Sequence, residues 1–438
     1  MAKKPIRQEE LAVIRKRLAA VYIVSLLLVP SSPPLANDII LDGIDYILRM
    51  ETSYQSNSNP GRASEVHDNV ESSNVMVNSI GMALRIPLLS DDTRLDIAGV
   101  GGDARYSGQH QFNHQPRRLD TKFHWRATDL FDGNLGYESE RRRYESDRIW
   151  PDSDTVDTRR LSARLGVNLS DSLTLPIVNV FEEKSGYQSE QNRQLFDSTE
   201  KGWEVAGKYQ SLTGSSVAIG LVNSETHYPL RHQLNRPDLD DAYSDRELFA
   251  ETYWQYSVKT GLYTRLGWLS REYETISGRD TDLLHLDTQA IWQYSPKTEL
   301  RLGLWQRPFN NDEDPNITYS SLRGFGLSAG WQPSPKLALS LYGSYELQDD
   351  TQTSGEKVNS TRTRLGPRLA WKAHPNISVI VDGYQTKKSG DIPSNNYKQA
   401  VVRLGVVVQT DSGNIELAEL LNPRQCRWSH VETSLCPR

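Results

Sequence analysis

The residues with the clearest chemical potential in this chain are arginines that recur at alternate positions of extended segments. Within 362–372, Arg362, Arg364 and Arg368 occupy one phase of a two-residue alternation, and leucine and tryptophan occupy the other. Guanidinium groups that converge on a confined space attract anions and repel cations. The basic residues of this phase, here and in similar segments, are Arg49, Arg85, Lys122, Arg126, Arg160, Arg164, Arg265, Arg301, Arg307, Arg362, Arg364, Arg368 and Arg403. The pattern predicts a site or a passage for anions.

Acidic residues of the same phase leave a second interpretation open. They are Glu51, Asp120, Glu138, Glu140, Glu204, Glu247, Glu251, Asp287, Glu299 and Glu346. Opposite charges on neighbouring strands can pair and brace a wall without binding any solute. The excess of arginine in 362–372 favours the anion site. The candidate lining residues are Arg301, Arg307, Arg362, Arg364, Arg368, Tyr342, Trp305 and Glu346.

Aromatic residues of the interior phase suggest a second kind of contact. They are Tyr253, Tyr263, Trp305 and Tyr342. An aromatic ring offers a flat apolar face on which a pyranose ring can stack. The alternative is that these side chains only fill space inside the wall.

Other kinds of chemistry have little support in the sequence. It contains no Gly-x-Ser-x-Gly, Walker or His-Glu-x-x-His motif, so we expect no catalytic residues and no cofactor. The acidic segments 238–241 and 311–314 lack the ligand spacing of a calcium loop, and we expect no bound metal. A lipid hydrolase would need a histidine on the apolar phase, whereas His124 and His285 fall on the polar one.

The elements that carry these residues have the pattern of amphipathic β-strands. In 283–294, Leu284 and Leu286 alternate with His285 and Asp287. The same alternation recurs in 299–307, 337–348 and 362–372. A period of two places successive side chains on opposite faces, here one apolar and one polar. This is the pattern of strands that face lipid on one side and a wet lumen on the other.

A tryptophan ends several of these strands just before a short turn. Trp254, Trp292, Trp331 and Trp371 follow one another at spacings of 38, 39 and 40 residues, and Trp125 belongs to a looser copy. Such spacing fits two strands of about ten residues with one tight turn and one long loop. Because indole is amphipathic, we predict that these five residues form a belt at the membrane interface.

Together these features predict an all-β fold, a transmembrane antiparallel up-and-down barrel of about 18 strands (16–18). The barrel is predicted to span residues 37–409. A polar lumen explains a chain with 37% hydrophobic residues and a mean hydropathy of −0.60. The sequence contains no run of 18 apolar residues, so no membrane-spanning helix is predicted. Short periplasmic turns alternate with extracellular loops at 58–72, 107–117, 147–155, 188–197, 229–243, 274–280, 309–316, 349–360 and 389–396.

The two ends of the chain predict separate segments. Basic residues precede an apolar run over 18–29, which is typical of a secretory signal peptide and which we place at residues 1–36. The alternative is that this N-terminal segment stays uncleaved and serves as a membrane anchor. Residues 410–438 break the strand pattern and are predicted to form a periplasmic tail, with a short amphipathic helix over 415–421. In an oxidising periplasm Cys426 and Cys436 are expected to form a disulfide, and a weak metal site with His430 is the alternative.

Several short motifs connect the chain to a known group. They are Ser53-Tyr54-Gln55-Ser56-Asn57, Arg105-Tyr106 and Phe123-His124-Trp125, followed by the aromatic turn repeats. With these motifs the arrangement resembles the EpsL-type outer-membrane proteins, a β-barrel porin group associated with exosortase and exopolysaccharide gene systems. The resemblance covers most of 37–409, whereas the C-terminal extension departs from it. It implies polysaccharide export with periplasmic export components and supplies no catalytic residues.

Three functions are therefore expected in decreasing order. The first is export of an acidic exopolysaccharide, the second is general diffusion with anion preference, and the third is lipid modification by an outer-membrane enzyme. The predicted location is the outer membrane of a Gram-negative bacterium. The expected partners are the lipid bilayer, lipopolysaccharide and the polysaccharide substrate, with no nucleic acid.

Overall fold

The fold is a single closed sheet of 18 strands, seen in a computed structural model. The structure describes residues 44–410, except 65, 67–69, 91, 145–153, 189–192, 235–238, 275–278, 310–316 and 353, together with Leu417, Leu420 and Leu421. The predicted signal peptide, Cys426 and Cys436 lie outside the described residues. The strands are β1 (Asp45–Asn57), β2 (Ser73–Ser90), β3 (Thr93–Tyr106), β4 (Arg117–Thr128), β5 (Phe131–Arg143), β6 (Thr155–Ser170), β7 (Leu173–Tyr187), β8 (Ser198–Gln210), β9 (Ser216–His227), β10 (Ala242–Ser257), β11 (Thr260–Tyr273), β12 (Thr281–Ser295), β13 (Thr298–Phe309), β14 (Ile317–Ser334), β15 (Leu337–Gln352), β16 (Lys357–His374), β17 (Ile377–Gly390) and β18 (Tyr397–Gln409).

Each strand pairs antiparallel with the strand that precedes it and the strand that follows it. The last strand, β18, also pairs with β1, from Arg49 opposite Gln409 to Asn57 opposite Val401. This pairing closes the sheet and removes both edges, so every strand has two hydrogen-bonded neighbours. The predicted all-β up-and-down barrel and its number of strands are confirmed.

The pairing register separates an apolar outer face from a polar inner face. Leu404 on β18 lies opposite Tyr54 on β1, and both side chains are exposed on the outside. The next residue, Arg403, faces inward and forms an ion pair with Asp382 on β17. Because the side-chain period is two, every strand repeats this division. Leucine, valine and aromatic side chains on the outside suit contact with lipid, and the charged residues are kept from it.

Short turns and longer connections alternate around the barrel as predicted, with one difference. The predicted loop 349–360 is a short connection, because β15 extends to Gln352 and β16 begins at Lys357. Asp349 pairs with Asn359, and Thr351 pairs with Lys357. These polar residues, which the sequence pattern assigned to a loop, therefore continue the hydrogen-bonded ladder beyond the membrane. Polarity marks where the membrane ends, and strands continue past that level.

Three prolines lie within strands, each next to an irregularity of the ladder. The register shifts between Pro87 and Ser90 and between Thr174 and Ile177, which flank Pro176. Pro367 pairs with Leu341 on β15 but interrupts the ladder to β17. Proline has no backbone N–H to donate, so the sheet accommodates it where the ladder is already locally broken.

Helices are few and short in the described part of the chain. The α-helix Pro229–Gln233 and the 3-10 helices His110–Phe112, Arg193–Phe196 and Pro393–Asn395 lie in the longer connections. Among the described residues, no helix has the length and apolar character needed to cross a bilayer.

Candidate functional site

The inward face of β16 carries basic residues and no acidic residue. The inward residues from Val358 to Lys372 are those with even numbers, since Arg364 lies opposite the inward-facing Ser344 and Thr386. The basic ones are Arg362, Arg364, Arg368 and Lys372. We call these four residues the basic strip.

Inward arginines on other strands are mostly neutralised by acidic neighbours. Arg265 Nη2 lies 3.0 Å from Glu247 Oε2, and Arg403 pairs with Asp382 and lies 3.6 Å from Glu51. On these strands the charges brace the wall, which is the second interpretation of the sequence pattern. Further pairs of this kind are Arg85–Asp96, Arg160–Glu183, Arg164–Asp132 and Arg271–Asp245.

Two arginines of the basic strip have no such partner. Within the described residues neither Arg364 nor Arg368 makes an ion pair, and the buried Nε of each has no hydrogen-bond partner. Arg364 instead places its guanidinium 3.9 Å from the ring centre of Tyr384, a cation–π contact that keeps the charge. Asp382, opposite Arg368 across the ladder, is already engaged by Arg403. The strip therefore presents positive charge to the lumen.

The opposite side of the barrel is acidic. The strand β7 is nine strands away from β16 in a closed sheet of 18, and β8 to β10 follow it. Within the described residues, Glu200 and Glu204 on β8 make no ion pair. The acidic residues on the inward faces of β7 to β10 are Glu183, Glu200, Glu204, Asp245, Glu247 and Glu251, with Lys208 as the one basic residue. Arginines of β6 and β11 pair with four of them, so the acidic charge that faces the lumen is mainly that of Glu200 and Glu204. A solute in the lumen thus passes between a basic and an acidic wall.

All eight predicted lining residues lie on the inward register, but they differ in exposure. Arg301, Trp305 and Glu346 are buried, whereas Tyr342 is partly exposed. The ring of Trp305, 4% exposed, lies against Gly324 and Gly326 of β14. Trp305 therefore packs within the wall and offers no free face for sugar stacking, which agrees with the alternative that it fills space inside the wall. Arg307, Arg362, Arg364 and Arg368 are partly exposed.

The contact between Trp305 and Gly324 leads to a prediction on stability. A Cβ added at Gly324 would lie 2.5 Å from the Tyr345 carbonyl oxygen and 2.7 Å from the indole ring. We expect Gly324→Ala to destabilise the barrel by about 1–3 kcal/mol through overpacking. At Gly330, on the same face, a Cβ would meet only ordinary contact at 3.9 Å, so Gly330→Ala is the matched control. Urea unfolding followed by tryptophan fluorescence measures both variants, and equal midpoints would contradict the prediction.

The five predicted interface tryptophans all point outward at the short-turn end of their strands. They are Trp125, Trp254, Trp292, Trp331 and Trp371. Trp254 and Trp292 stack edge to face on Tyr256 and Tyr294, with ring centres 5.5 and 5.2 Å apart. These positions suit an aromatic belt at the periplasmic interface.

The C-terminal segment contacts the inside of the barrel. Leu417 and Leu421 are buried and pack on Ile47, Ala83 and Ala98, the inward residues of β1, β2 and β3. We call these three wall residues the apolar stripe, because the rest of the inner wall is dominated by polar and charged side chains. Most of the predicted tail, 410–438, lies outside the described residues. Its described leucines lie in the lumen, which the sequence pattern did not suggest.

Thr410 fixes where this segment leaves the wall. Its backbone N–H donates to the carbonyl of Leu48, and the Leu48 N–H donates to Thr410 Oγ1, both at 2.9 Å. Thr410 lies just beyond β18 at the short-turn end, which is the periplasmic end of the barrel. Thr410 therefore lies at the periplasmic end of the barrel, and the next described residue, Leu417, lies in the lumen.

Comparison with solved structures agrees with the fold. Crystal structures of Pseudomonas aeruginosa OccK2 (OpdF) with glucuronate and of OpdK with vanillate superpose on 84% of this chain, and on 98% and 100% of theirs. The TM-scores are 0.50 and 0.49, with 12% and 10% sequence identity. This is the fold of an outer-membrane β-barrel. The chain accordingly belongs in the outer membrane of a Gram-negative bacterium, where its apolar exterior faces lipid. No protein-family profile and no curated protein matches the sequence.

Sequence reasoning missed several inward charges of this barrel. Among them are Arg94, Asp96, Arg118, Asp132, Glu183, Glu200, Asp245, Arg271 and Asp382. Most lie near strand ends or beside glycine and polar residues, where the apolar phase is weak. Counting back in steps of two from the tryptophan of each hairpin marks the outward positions, and the residues between them include the inward charges on the same strands.

Proposed function

We propose that this protein is an outer-membrane diffusion channel that favours small anionic solutes over cations. The observation that carries the proposal is the basic strip of β16, where Arg364 and Arg368 make no ion pair in the described part of the chain. A guanidinium that is not neutralised by a carboxylate keeps its field in the lumen, where water screens it less than at an open surface.

The acidic wall adds a preference among anions. A solute with a carboxylate on one side and hydroxyl groups on the other can face the basic strip with its charge. Its hydroxyl groups then point to the side of the lumen where Glu200 and Glu204 lie, which would repel a second negative charge there. Glucuronate, with which OccK2 was crystallised, has this chemistry and is a suitable probe.

Export of an acidic exopolysaccharide remains a prediction that rests on the resemblance to EpsL-type proteins. The basic strip is compatible with a polyanionic glycan, but Trp305 offers no stacking face to its sugars. Deleting the gene and weighing surface polysaccharide tests this function, and unchanged secretion would contradict it. The fold itself points to a channel rather than to an enzyme.

The diffusion proposal is tested by solute uptake into liposomes that contain the purified protein. Glucuronate, glucose and glucosamine have similar size and carry a negative, a neutral and a positive charge. We expect swelling rates to fall in that order, because the basic strip attracts the carboxylate and repels the ammonium group. Equal rates, or fastest entry of glucosamine, would contradict anion preference. Liposomes without protein provide the baseline.

A further inference from the structure

The outer surface of β6 to β8 carries a cluster of basic residues that the transport function does not use. Arg159, Lys184 and Lys201 are exposed and point away from the lumen. Their orientation follows from the pairing register. Lys201 lies opposite Glu182, and Glu182 lies opposite Leu161, which is exposed on the outer face. Arg159 lies opposite Lys184, two residues further along the same outer face. We propose that these three residues bind a phosphate of the outer-leaflet glycolipid, the phosphorylated sugar headgroup of lipopolysaccharide.

The level of the cluster matches the headgroup region. Towards the periplasmic end, the next outward residue on β6 and β8 is apolar, whereas on β7 Glu182 comes first. The apolar residues below the cluster are Leu161 on β6, Val180 on β7 and Trp203 on β8. These side chains are 57%, 47% and 40% exposed and lie where acyl chains are expected. The basic residues lie towards the long-loop, extracellular end. Trp203, directly below, has the amphipathic ring favoured at this boundary.

The protein balances the charges of the cluster only in part. Lys184 Nζ lies 2.7 Å from Glu182 Oε1, and Lys201 lies opposite Glu182 and Glu225 across the ladder. Arg159 faces Ser139 and Lys184, and within the described residues it makes no ion pair. Arg159 and Lys184 also lie directly opposite each other on the adjacent strands β6 and β7, and like charges in this arrangement destabilise a sheet. A phosphate between them would relieve this repulsion and accept charge-assisted hydrogen bonds from both groups.

The surface beside the cluster has room for a sugar. A shallow depression of about 410 Å³ is lined by Val180, Glu182, Lys201, Trp203 and Glu225, among others. Carboxylates and an indole beside cations suit a headgroup that presents hydroxyl groups as well as phosphate. On the outer face of β14 and β15, by contrast, Arg323 is paired with Asp349 and leaves no excess charge.

The test is binding of purified lipid A by the full-length protein in detergent, followed by native mass spectrometry. The triple variant Arg159→Ser, Lys184→Ser, Lys201→Ser should bind bisphosphorylated lipid A roughly tenfold more weakly than the unmodified protein, because charge-assisted hydrogen bonds are lost. Arg323→Ser, which removes an outward charge elsewhere, should bind as the unmodified protein does. Lipid A without phosphates should bind to the unmodified protein as weakly as the intact lipid binds to the triple variant.

Three results would overturn the proposal. They are unchanged binding by the triple variant, equal binding of the phosphate-free lipid, and equal binding of phosphatidylglycerol, which would show a general affinity for anionic lipids. The slower migration of heated than of unheated protein on gels reports whether each variant is folded. If the triple variant does not fold, Arg159→Ser and Lys201→Ser are measured singly, and each should weaken binding of the bisphosphorylated lipid.

Discussion

Removal of residues 411–438 should raise the single-channel conductance of this barrel roughly 1.5- to 2-fold, because it removes Leu417, Leu420 and Leu421 from the lumen. Leu417 and Leu421 pack against the apolar stripe of β1 to β3 and hold the segment inside the wall. Ions cannot pass through the cross-section that it fills. Conductance in planar bilayers in KCl measures the change.

The matched control for this truncation keeps the leucines. A chain that ends at Pro423 lacks 424–438 but retains Leu417 and Leu421, and it should conduct as the full chain does. A full-length double variant, Leu417→Asp and Leu421→Asp, should behave like the longer truncation, since a carboxylate placed against the apolar stripe is strongly unfavourable. If both truncations conduct equally, the leucine contact does not narrow the channel.

Charge reversal in the basic strip should invert the ion selectivity of the channel. The double variant Arg364→Glu, Arg368→Glu replaces two positive charges by two negative ones on one inward face. Neither arginine braces the wall through an ion pair in the described chain, so the barrel should still assemble. We expect the chloride-to-potassium permeability ratio to fall at least about fivefold and to pass below one. The reversal potential in a KCl gradient gives this ratio.

A second variant separates the lumen from the overall charge of the protein. Arg323→Glu with Lys387→Glu makes the same change in net charge on outward, exposed positions of β14 and β17. It should leave the permeability ratio nearly unchanged, because salt screens charges beyond about 10 Å. An equal shift in both variants would mean that the basic strip has no special role. The effect of the inward variant should also weaken at high salt.

The apolar stripe and the basic strip differ from most of the inner wall, where arginines are paired with carboxylates. Arg403 and Arg265 have acidic partners, and removing either would leave a carboxylate without its partner and destabilise the sheet. Arg364 is held by a ring instead, so its charge can be changed at lower structural cost. This distinction selects the positions at which function can be tested without loss of the fold.

Much of the architecture could be predicted because it depends on local periodicity. The alternation of Leu284 and Leu286 with His285 and Asp287 assigns each side chain to lipid or lumen once the strand is recognised. The recurring tryptophans mark the same end of successive hairpins.

The state of each inward charge depended on contacts between residues far apart in the chain. Arg403 meets Glu51 only because the sheet closes, and Arg368 lacks a carboxylate because Arg403 takes Asp382. Trp305 is buried because two glycines of the neighbouring strand leave space for its ring. Periodicity within a strand sets the direction of a side chain, whereas register across strands sets its partners. The alternating pattern therefore specified a barrel with a charged lumen, and only closure and pairing decided which arginines remain available to a solute.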